Sequence, residues 1–511
     1  MMRTNPIVVF MAFGTKGDVY PIAAIAAAFA SDQKQYQVAF VTHSAHQNLK
    51  VHLGAKRISY FPISSPPVLS FHQDHDPGGP VDTSFLLQKK EITRKHKQEC
   101  VSVVERIYGE DPVMDGDLIV INFFALEGWS LAELFCVRCV VAAPYVVPYS
   151  APTSFERQFT TELPLLYKYL REAPTGKIGW EDVMHWMWPL FTEDWGKWRS
   201  LDLKLSFLPF TVDPVTDLPT WHDRPSSPLL LYGFSQEVVE CPGYWPSAVR
   251  VCGFWTLPAE WQFSCARCAE ISSLISCRQL NDGENWCPSH AKLKSFLDSS
   301  VGHLIFISLS SVGSMGYFRS PQIFLRVLRN LLCISSHRII LFSAGYGPLD
   351  IAIKLLAQTP PSASEQMQSS EIQISLFDGR LFCFSGEIPY NLLFPKCAAV
   401  IHHGGSGTTA AALHAGVPQV ICPFILDQFY WAERMFWLGV ASEPLNATCV
   451  LPDKDDDNCI LGAANVLVQA INNALSPQVK SRTKEIADRI STEDGVSTAL
   501  RIIKEEIIGA K

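Results

Sequence analysis

The stretch Ile401-His402-His403-Gly404-Gly405-Ser406-Gly407-Thr408-Thr409 decides the fold. An apolar run, Ala399–His403, feeds a glycine-rich turn that opens a helix predicted over Thr408–Ala415. That order, strand then turn then helix, is the unit of a parallel sheet. Glycines let a ligand approach the backbone. The first-turn amides and the helix dipole, about half a positive charge, favour a diphosphate there. Ser406, Thr408 and Thr409 add hydroxyl donors, and His402 or His403 can donate to a phosphate oxygen or a sugar hydroxyl. Downstream, Gly416-Val417-Pro418 leads into a further strand, Gln419–Pro423, and then Phe424-Ile425-Leu426-Asp427-Gln428. Asp427 and Gln428 at that strand end could read hydroxyls of a sugar. A tight turn with a capped helix also accounts for a glycine-rich turn taken alone.

Strand and helix signals alternate on both sides of this segment. Predicted strands Ile7–Phe13, Gln37–Thr42, Arg57–Ile63, Leu118–Asn122 and Val137–Val147 are separated by helices over Pro21–Ala30, Ser44–Leu53 and Ala125–Phe135. A second series runs through strands His303–Ser310, Arg338–Gly345, Arg380–Ser385 and Ala399–His403, with helices Gln322–Leu332, Leu349–Gln358 and Asp427–Leu438. The pattern predicts an α/β chain with two doubly wound, Rossmann-like domains in series. Ligands in such sheets bind beyond the carboxyl ends of the strands, so the expected site is an inter-domain cleft.

Composition narrows the function classes. Apolar residues make up 48% of the 511 and charged residues 18%, which supports large cores and excludes a disordered chain. A formal net charge of −8 gives no electrostatic reason to expect nucleic acid. No stretch approaches the roughly 18–20 apolar residues of a spanning helix. The apolar run Ile7–Phe13 passes straight into Gly14-Thr15-Lys16-Gly17-Asp18 rather than a cleavage site, so a cytoplasmic address is expected. The fifteen cysteines are scattered, and most are expected reduced and buried.

Taken whole, the segment from His402 to Gln428 resembles the donor-binding signature of UDP-dependent glycosyltransferases of the GT-B fold. It is most similar to the sterol 3-beta-glucosyltransferase branch, through the His-His-Gly-Gly-x-Gly-Thr-Thr run, the Gly-Val-Pro and the closing Asp-Gln. Further matches are Leu393–Val400, Ser343–Gly347, Leu231–Ser235 and Asp494-Gly495-Val496, so the likeness covers nearly the whole chain. Phe13-Gly14-Thr15-Lys16-Gly17-Asp18-Val19-Tyr20-Pro21 is similar to the family's Gly-Thr-Arg-Gly-Asp-Val-x-Pro, with Lys16 in the usual Arg place. Two departures stand out. Tyr390 and Leu392 replace the family's His and Trp, and Ser308–Met315 replaces its Gly-Phe-Gly-Ser turn, although Ser314 keeps a hydroxyl for a phosphate.

The resemblance implies two facing Rossmann-like domains: an acceptor-binding domain over 1–240, a linker and Cys-rich insertion over 241–297, a UDP-sugar domain over 298–480, and C-terminal helices over 481–511 packing back across both. It implies an inverting transfer of glucose from UDP-glucose to a lipophilic alcohol such as a sterol. Donor binding falls to Ser314, His402, His403, Gly404, Gly405, Ser406, Gly407, Thr408, Thr409, Asp427 and Gln428. Asp18 is the catalytic candidate, with Gly14, Thr15 and Gly17 forming the loop under the bound sugar. An alcohol is a poor nucleophile, so a base near its hydroxyl is needed. No cofactor and no catalytic metal are expected. A monomer is expected, with room for peripheral membrane contact. A non-catalytic relative that binds a nucleotide sugar or a lipid is the alternative. A Rossmann oxidoreductase is disfavoured, because the first loop lacks Gly-x-Gly-x-x-Gly and its acidic ribose reader.

Four features carry two readings each. Asp18 is a base or an ordinary N-cap. His43, His46, His72 and His75 are cleft-lining or surface histidines. Trp186, Trp188, Trp195 and Trp198, with Trp180, are the core of a helical insertion or an apolar acceptor wall. Cys265, Cys268, Cys277, Cys287 and His290 are free side chains in a variable insertion or a structural zinc set; no metal is expected.

Overall fold

The computed structural model describes residues 3–68, 83–109, 114–145, 151–174, 176–192, 194–207, 215–216, 228–241, 245, 248–276, 286–299, 301–357 and 372–505. His72, His75 and Cys277 lie outside them. Two compact units result. One is built from the described residues up to Thr256 together with those from Glu493 onward; the other spans Leu257–Thr492.

The first unit holds β1 (Ile7–Met11), β2 (Gln37–His43), β3 (Ser59–Ile63), β4 (Leu118–Ile121), β5 (Arg138–Ala143), β6 (Leu229–Tyr232) and β7 (Val249–Val251). They form one sheet, ordered β3-β2-β1-β4-β5-β6-β7, with every neighbouring pair parallel. Parallel strands are covered on both faces, which is why Ile-Val-Val-Phe-Met reads as an unbroken apolar run. Val8 to Met11 have no solvent exposure at all. Each such side chain contributes about 1.5–3 kcal/mol through burial. Strand order reverses between β1 and β4, so the loops after those two strands flank the switch point of this sheet.

The second unit holds β8 (Leu304–Ser308), β9 (Arg338–Phe342), β10 (Gln373–Leu376), β11 (Leu381–Phe384), β12 (Ala399–His402) and β13 (Gln419–Ile421). The order is β10-β11-β9-β8-β12-β13, parallel except for the β10–β11 hairpin. Here the reversal falls between β8 and β12, where Ser308 lies opposite His402. The loops after β8 and β12 are therefore neighbours.

Several boundaries differ from the sequence expectation. The first helix runs Lys16–Asp32, so Pro21 sits inside it and not in its first turn. A helix of 26 residues, Thr83–Tyr108, carries too few apolar residues to stand out in sequence, yet it buries Cys100, Val103, Val104 and Tyr108. The edge strands β7 and β10 are short and equally silent. No single described helix is long and apolar enough to cross a membrane.

The last described helix, Gly495–Ile503, packs on Lys16–Asp32 in the first unit. Asp494 caps it by accepting from the Ser497 amide at 3.0 Å and hydroxyl at 2.7 Å. Lys504 pairs with Asp32 at 2.8 Å, and the Ser235 hydroxyl donates to Glu493 at 2.6 Å. The segments Leu231–Ser235 and Asp494–Val496 are thus joined on one seam.

Candidate functional site

In the first unit the candidate loop leaves β1 at Phe13 and enters the helix at Lys16. Thr15 is the N-cap, and Asp18 is the third helical residue rather than the cap itself. Its carboxylate reaches back: Oδ2 accepts from the Thr15 amide at 2.7 Å and from the Thr15 hydroxyl at 2.8 Å. Burial pushes the Asp18 pKa up to about 6, with the two Thr15 bonds opposing it. Gly14 has φ of +101°, and a Cβ there would lie 2.6 Å from Asp18 Oδ2, so this position needs glycine on both counts.

Asn122, immediately after β4, fixes the loop. Its Oδ1 accepts from the Phe13 amide at 3.2 Å, and its Nδ2 donates to the Phe13 carbonyl at 2.8 Å and the Asp18 carbonyl at 3.2 Å. The sequence reading missed this residue, although a lone polar side chain closing the apolar run of β4 was a usable signal. Beneath the loop lies a histidine cluster. His46 Nε2 donates to the Gly14 carbonyl at 2.9 Å. Ser65 Oγ lies 3.1 Å from His43 Nδ1 and 2.7 Å from His96 Nδ1. His96 Nε2 approaches Glu127 at 3.6 Å, and Phe13 packs on His43 and His96 with ring centroids 4.9 and 4.5 Å apart. His43 and His46 are buried, against the reading of them as surface histidines. Burial, with His96 and His46 nearby, brings the His43 pKa down to about 4.

Four of the five tryptophans are core, and Trp188 is half-buried. Trp180, Trp186, Trp195 and Trp198 are all buried. Trp186 packs on Trp129 at 5.3 Å, Trp180 on Phe159 at 5.1 Å, and Lys97 Nζ sits 4.2 Å over Trp195.

In the second unit β12 ends at His402, Gly404 turns with φ of +90°, and the helix Ser406–His414 begins. A Cβ at Gly404 would lie 3.0 Å from the Gln428 carbonyl oxygen, so the turn and the Asp427-Gln428 pair are in close contact. The first-turn amides of this helix have no carbonyl of their own helix to donate to.

The two adjacent histidines are not equivalent. His402 is fully buried; its Nδ1 accepts from the Gly404 amide at 3.1 Å and its Nε2 donates to Gln419 Oε1 at 2.8 Å. Both nitrogens are spent inside the protein, so His402 shapes the turn and does not offer a donor to a phosphate. Burial, with His403 alongside, lowers its pKa to about 3. His403 is half-buried, and its Nδ1 has no hydrogen-bond partner among the described residues. Burial lowers its pKa to about 4, so it is neutral near pH 7.

Other predicted donor-site residues also have structural work. The Thr409 hydroxyl donates to the Gly405 carbonyl at 3.0 Å. Gln428 Oε1 accepts from the amides of Phe424 at 2.9 Å and Ile425 at 3.2 Å, and Asp427 Oδ2 accepts from the Trp431 indole at 3.0 Å. Tyr390 stacks on Phe394 at 4.4 Å, and its side chain bonds Thr408 in the first turn of the helix. Ser314 is exposed at the end of a short helix, Ser310–Ser314, that follows β8. Ser406, Gly405 and Gly407 lie at the helix start, with Gly407 exposed.

A separate group lies between the two loops in the sequence. Cys265, Cys268, Cys287 and His290 place one ligand atom each within 4.8 Å of one another, and the three cysteines are free thiols.

Residues 381–482 match the family described as Erythromycin biosynthesis protein CIII-like, C-terminal domain. A sterol 3-beta-glucosyltransferase of Aspergillus fumigatus is 22% identical over 510 residues, covering 98% of this chain and 30% of its own length. One from Arabidopsis thaliana is 38% identical over 114 residues, covering 22% of this chain and 17% of its own. The chain therefore spans under a third of the length of the curated relatives it matches. Among solved structures, the calicheamicin glycosyltransferase CalG4 superposes with a TM-score of 0.58 at 14% identity, covering 99% of both chains. The fold is that of the GT-B glycosyltransferases.

Proposed function

We propose that this chain transfers a hexose, with glucose the first choice, from a UDP-sugar to the hydroxyl of a lipophilic alcohol, and that a sterol is the acceptor class. One observation carries the reading. Each of the two loops singled out by sequence occupies the switch point of its own sheet, in a fold shared with glycosyltransferases. The sterol rests on the names of the curated relatives.

In this scheme the first unit handles the proton. Asp18, with a pKa near 6, is mostly ionised at neutral pH and basic enough to accept the acceptor's hydroxyl proton. As the O–H bond breaks, the oxygen bonds to the anomeric carbon. The bond from that carbon to the diphosphate oxygen breaks on the opposite face, and UDP leaves with the electron pair. Attack from the rear inverts the anomeric centre. The transition state has oxocarbenium character, as in glycoside hydrolysis. The second unit handles the departing charge. The amides at Ser406, Gly407 and Thr408, the Ser314 hydroxyl and neutral His403 supply the donors. Fixed dipoles of this kind neutralise a diphosphate without a catalytic metal. Asp427 and Gln428 are the candidates for the sugar hydroxyls.

The test incubates the purified full chain with UDP-glucose and cholesterol or sitosterol, and follows UDP release and the steryl glucoside by mass spectrometry. Product from the wild type and none from Asp18→Asn is expected. Tight UDP binding with no turnover on any alcohol would replace the transferase with a non-catalytic nucleotide-sugar binder.

A further inference from the structure

We propose that Cys265, Cys268, Cys287 and His290 form a structural zinc site. The proposal is independent of the sugar-transfer reading.

Geometry is the first support. Zinc–sulfur bonds of about 2.3 Å and zinc–nitrogen bonds of about 2.0–2.1 Å set tetrahedral edges near 3.8 Å between sulfurs and about 3.6 Å from sulfur to nitrogen. Here Cys265 Sγ lies 3.8 Å from Cys287 Sγ, and His290 Nδ1 lies 3.3 Å from both Cys268 Sγ and Cys287 Sγ. The Cys265–Cys287 separation is far beyond a disulfide bond of about 2.05 Å. All the convergent atoms are ligand atoms, three thiols and one imidazole nitrogen, and all lie in the second unit.

Local chain geometry is the second. A Cys-x2-Cys pair opens the helix Ala266–Ser276, and a Cys-x2-His pair makes the turn before the helix Ala291–Asp298. Within that turn the His290 amide donates to the Cys287 carbonyl at 3.0 Å, which brings both side chains to one side. The interval Ala269–Trp286 between the pairs is typical of a zinc ribbon or finger. Cys277 falls between the two pairs and masks their regular spacing.

Burial is the third. Cys268 and Cys287 are 1% exposed and His290 is 2%, while Cys265 is partly open and leaves a way in for an ion. Four protein ligands fill a tetrahedron, so no position remains for water or substrate and the role is structural. The site would fasten the insertion to the edge of the second sheet. Ser264 exchanges hydrogen bonds with Glu387, just past β11, at 3.1 Å from its amide and 2.6 Å to its hydroxyl. Gln373 on β10 donates to the Ser289 carbonyl at 3.0 Å, the His290 ring meets Phe384 at 5.7 Å, and Leu293 and Leu297 enter the core.

The test uses the full chain purified under reducing conditions without chelator. Elemental analysis is expected to find about one zinc per chain. Replacement by Co2+ is expected to give the intense visible bands of tetrahedral thiolate coordination. Cys268→Ser and Cys287→Ser are each expected to lose the metal. His290→Cys keeps a four-ligand set, so it is expected to retain one metal while shifting the cobalt bands, and it guards against simple misfolding of the serine variants. Chelation is expected to lower the melting temperature of the wild type. A chain that carries no zinc and takes up neither Zn2+ nor Co2+ at equimolar concentration, or a cobalt spectrum unchanged in Cys268→Ser and His290→Cys, would overturn the proposal.

Discussion

The loop Phe13–Asp18 and the turn His402–Ser406 occupy the same topological place in two similar sheets, yet they keep their titratable groups in opposite positions. The first holds a carboxylate at the helix start, raised to about 6, above a layer of buried histidines. The second turns its first imidazole inward and spends both nitrogens on Gly404 and Gln419. Beside it stand the half-buried, neutral His403 and the start of the helix Ser406–His414. On the proposed function, the first would take a proton and the second would hold an anion. The strand–loop–helix unit supplies only the place; the residues at its first turn choose the charge it serves.

The contrast breaks most sharply at Asp18. Asp18→Asn is expected to lower kcat/KM by about 10²–10⁴-fold while leaving UDP affinity unchanged, measured by coupled UDP release and by calorimetry. The wild-type rate has a matching pH signature. A base must be ionised, so log kcat/KM is expected to rise with unit slope up to about pH 6 and then level, and the Asn variant is expected to lose that limb. A flat wild-type profile would remove Asp18 from proton transfer.

On the other side, His402→Ala leaves the Gly404 amide and Gln419 without their partner. A loss of about 2–3 kcal/mol in urea unfolding is expected, together with weaker UDP binding. His403→Ala is expected to weaken UDP binding with little change in stability. Equal stability losses in the two variants would erase the distinction between them. Acid should act through the same residues. His402, His403 and His43 are depressed to about 3, 4 and 4. Unfolding restores their ordinary values near 6.5, so the unfolded chain binds more protons between pH 6.5 and about 4. Their contribution is present above pH 6.5 and is lost as pH falls through that window; Asp18, raised instead of lowered, contributes in the opposite sense. A urea midpoint that rose on acidification from pH 6.5 to 4 would contradict this. The smallest effect belongs to Gly404→Ala. Its φ of +90° is strained for alanine by about 1–2 kcal/mol, and its Cβ would press on the Gln428 carbonyl.

The two sheets were largely legible because parallel strands buried on both faces leave unbroken apolar runs, as at Ile7–Met11 and Leu304–Ser308. The helix Thr83–Tyr108 was not, since its exposed face outweighs its buried one, and with it His96 went unseen. The glycines mark both candidate loops, but not how the residues within them are bonded. That His402 has no nitrogen to spare depends on Gln419, a residue on the adjoining strand, and no local spacing reports that. The Cys/His cluster was legible in spacing and obscured by one extra cysteine between the pairs. Of the two readings of Asp18, base or N-cap, the cap falls to Thr15, and Asp18 is the third helical residue.

The helix Gly495–Ile503 belongs to the first unit although nearly half the chain is made between the two parts. A ribosome adding roughly 5–20 residues per second needs on the order of 10–50 s to travel from Thr256 to Glu493. During that interval the face of Lys16–Asp32 that packs on Gly495–Ile503 waits for its partner, while the whole second sheet is translated. Nascent chains stalled before Glu493 should therefore expose that strip to chaperones and proteases, and the order of completion is inverted: the half that is begun first is finished last.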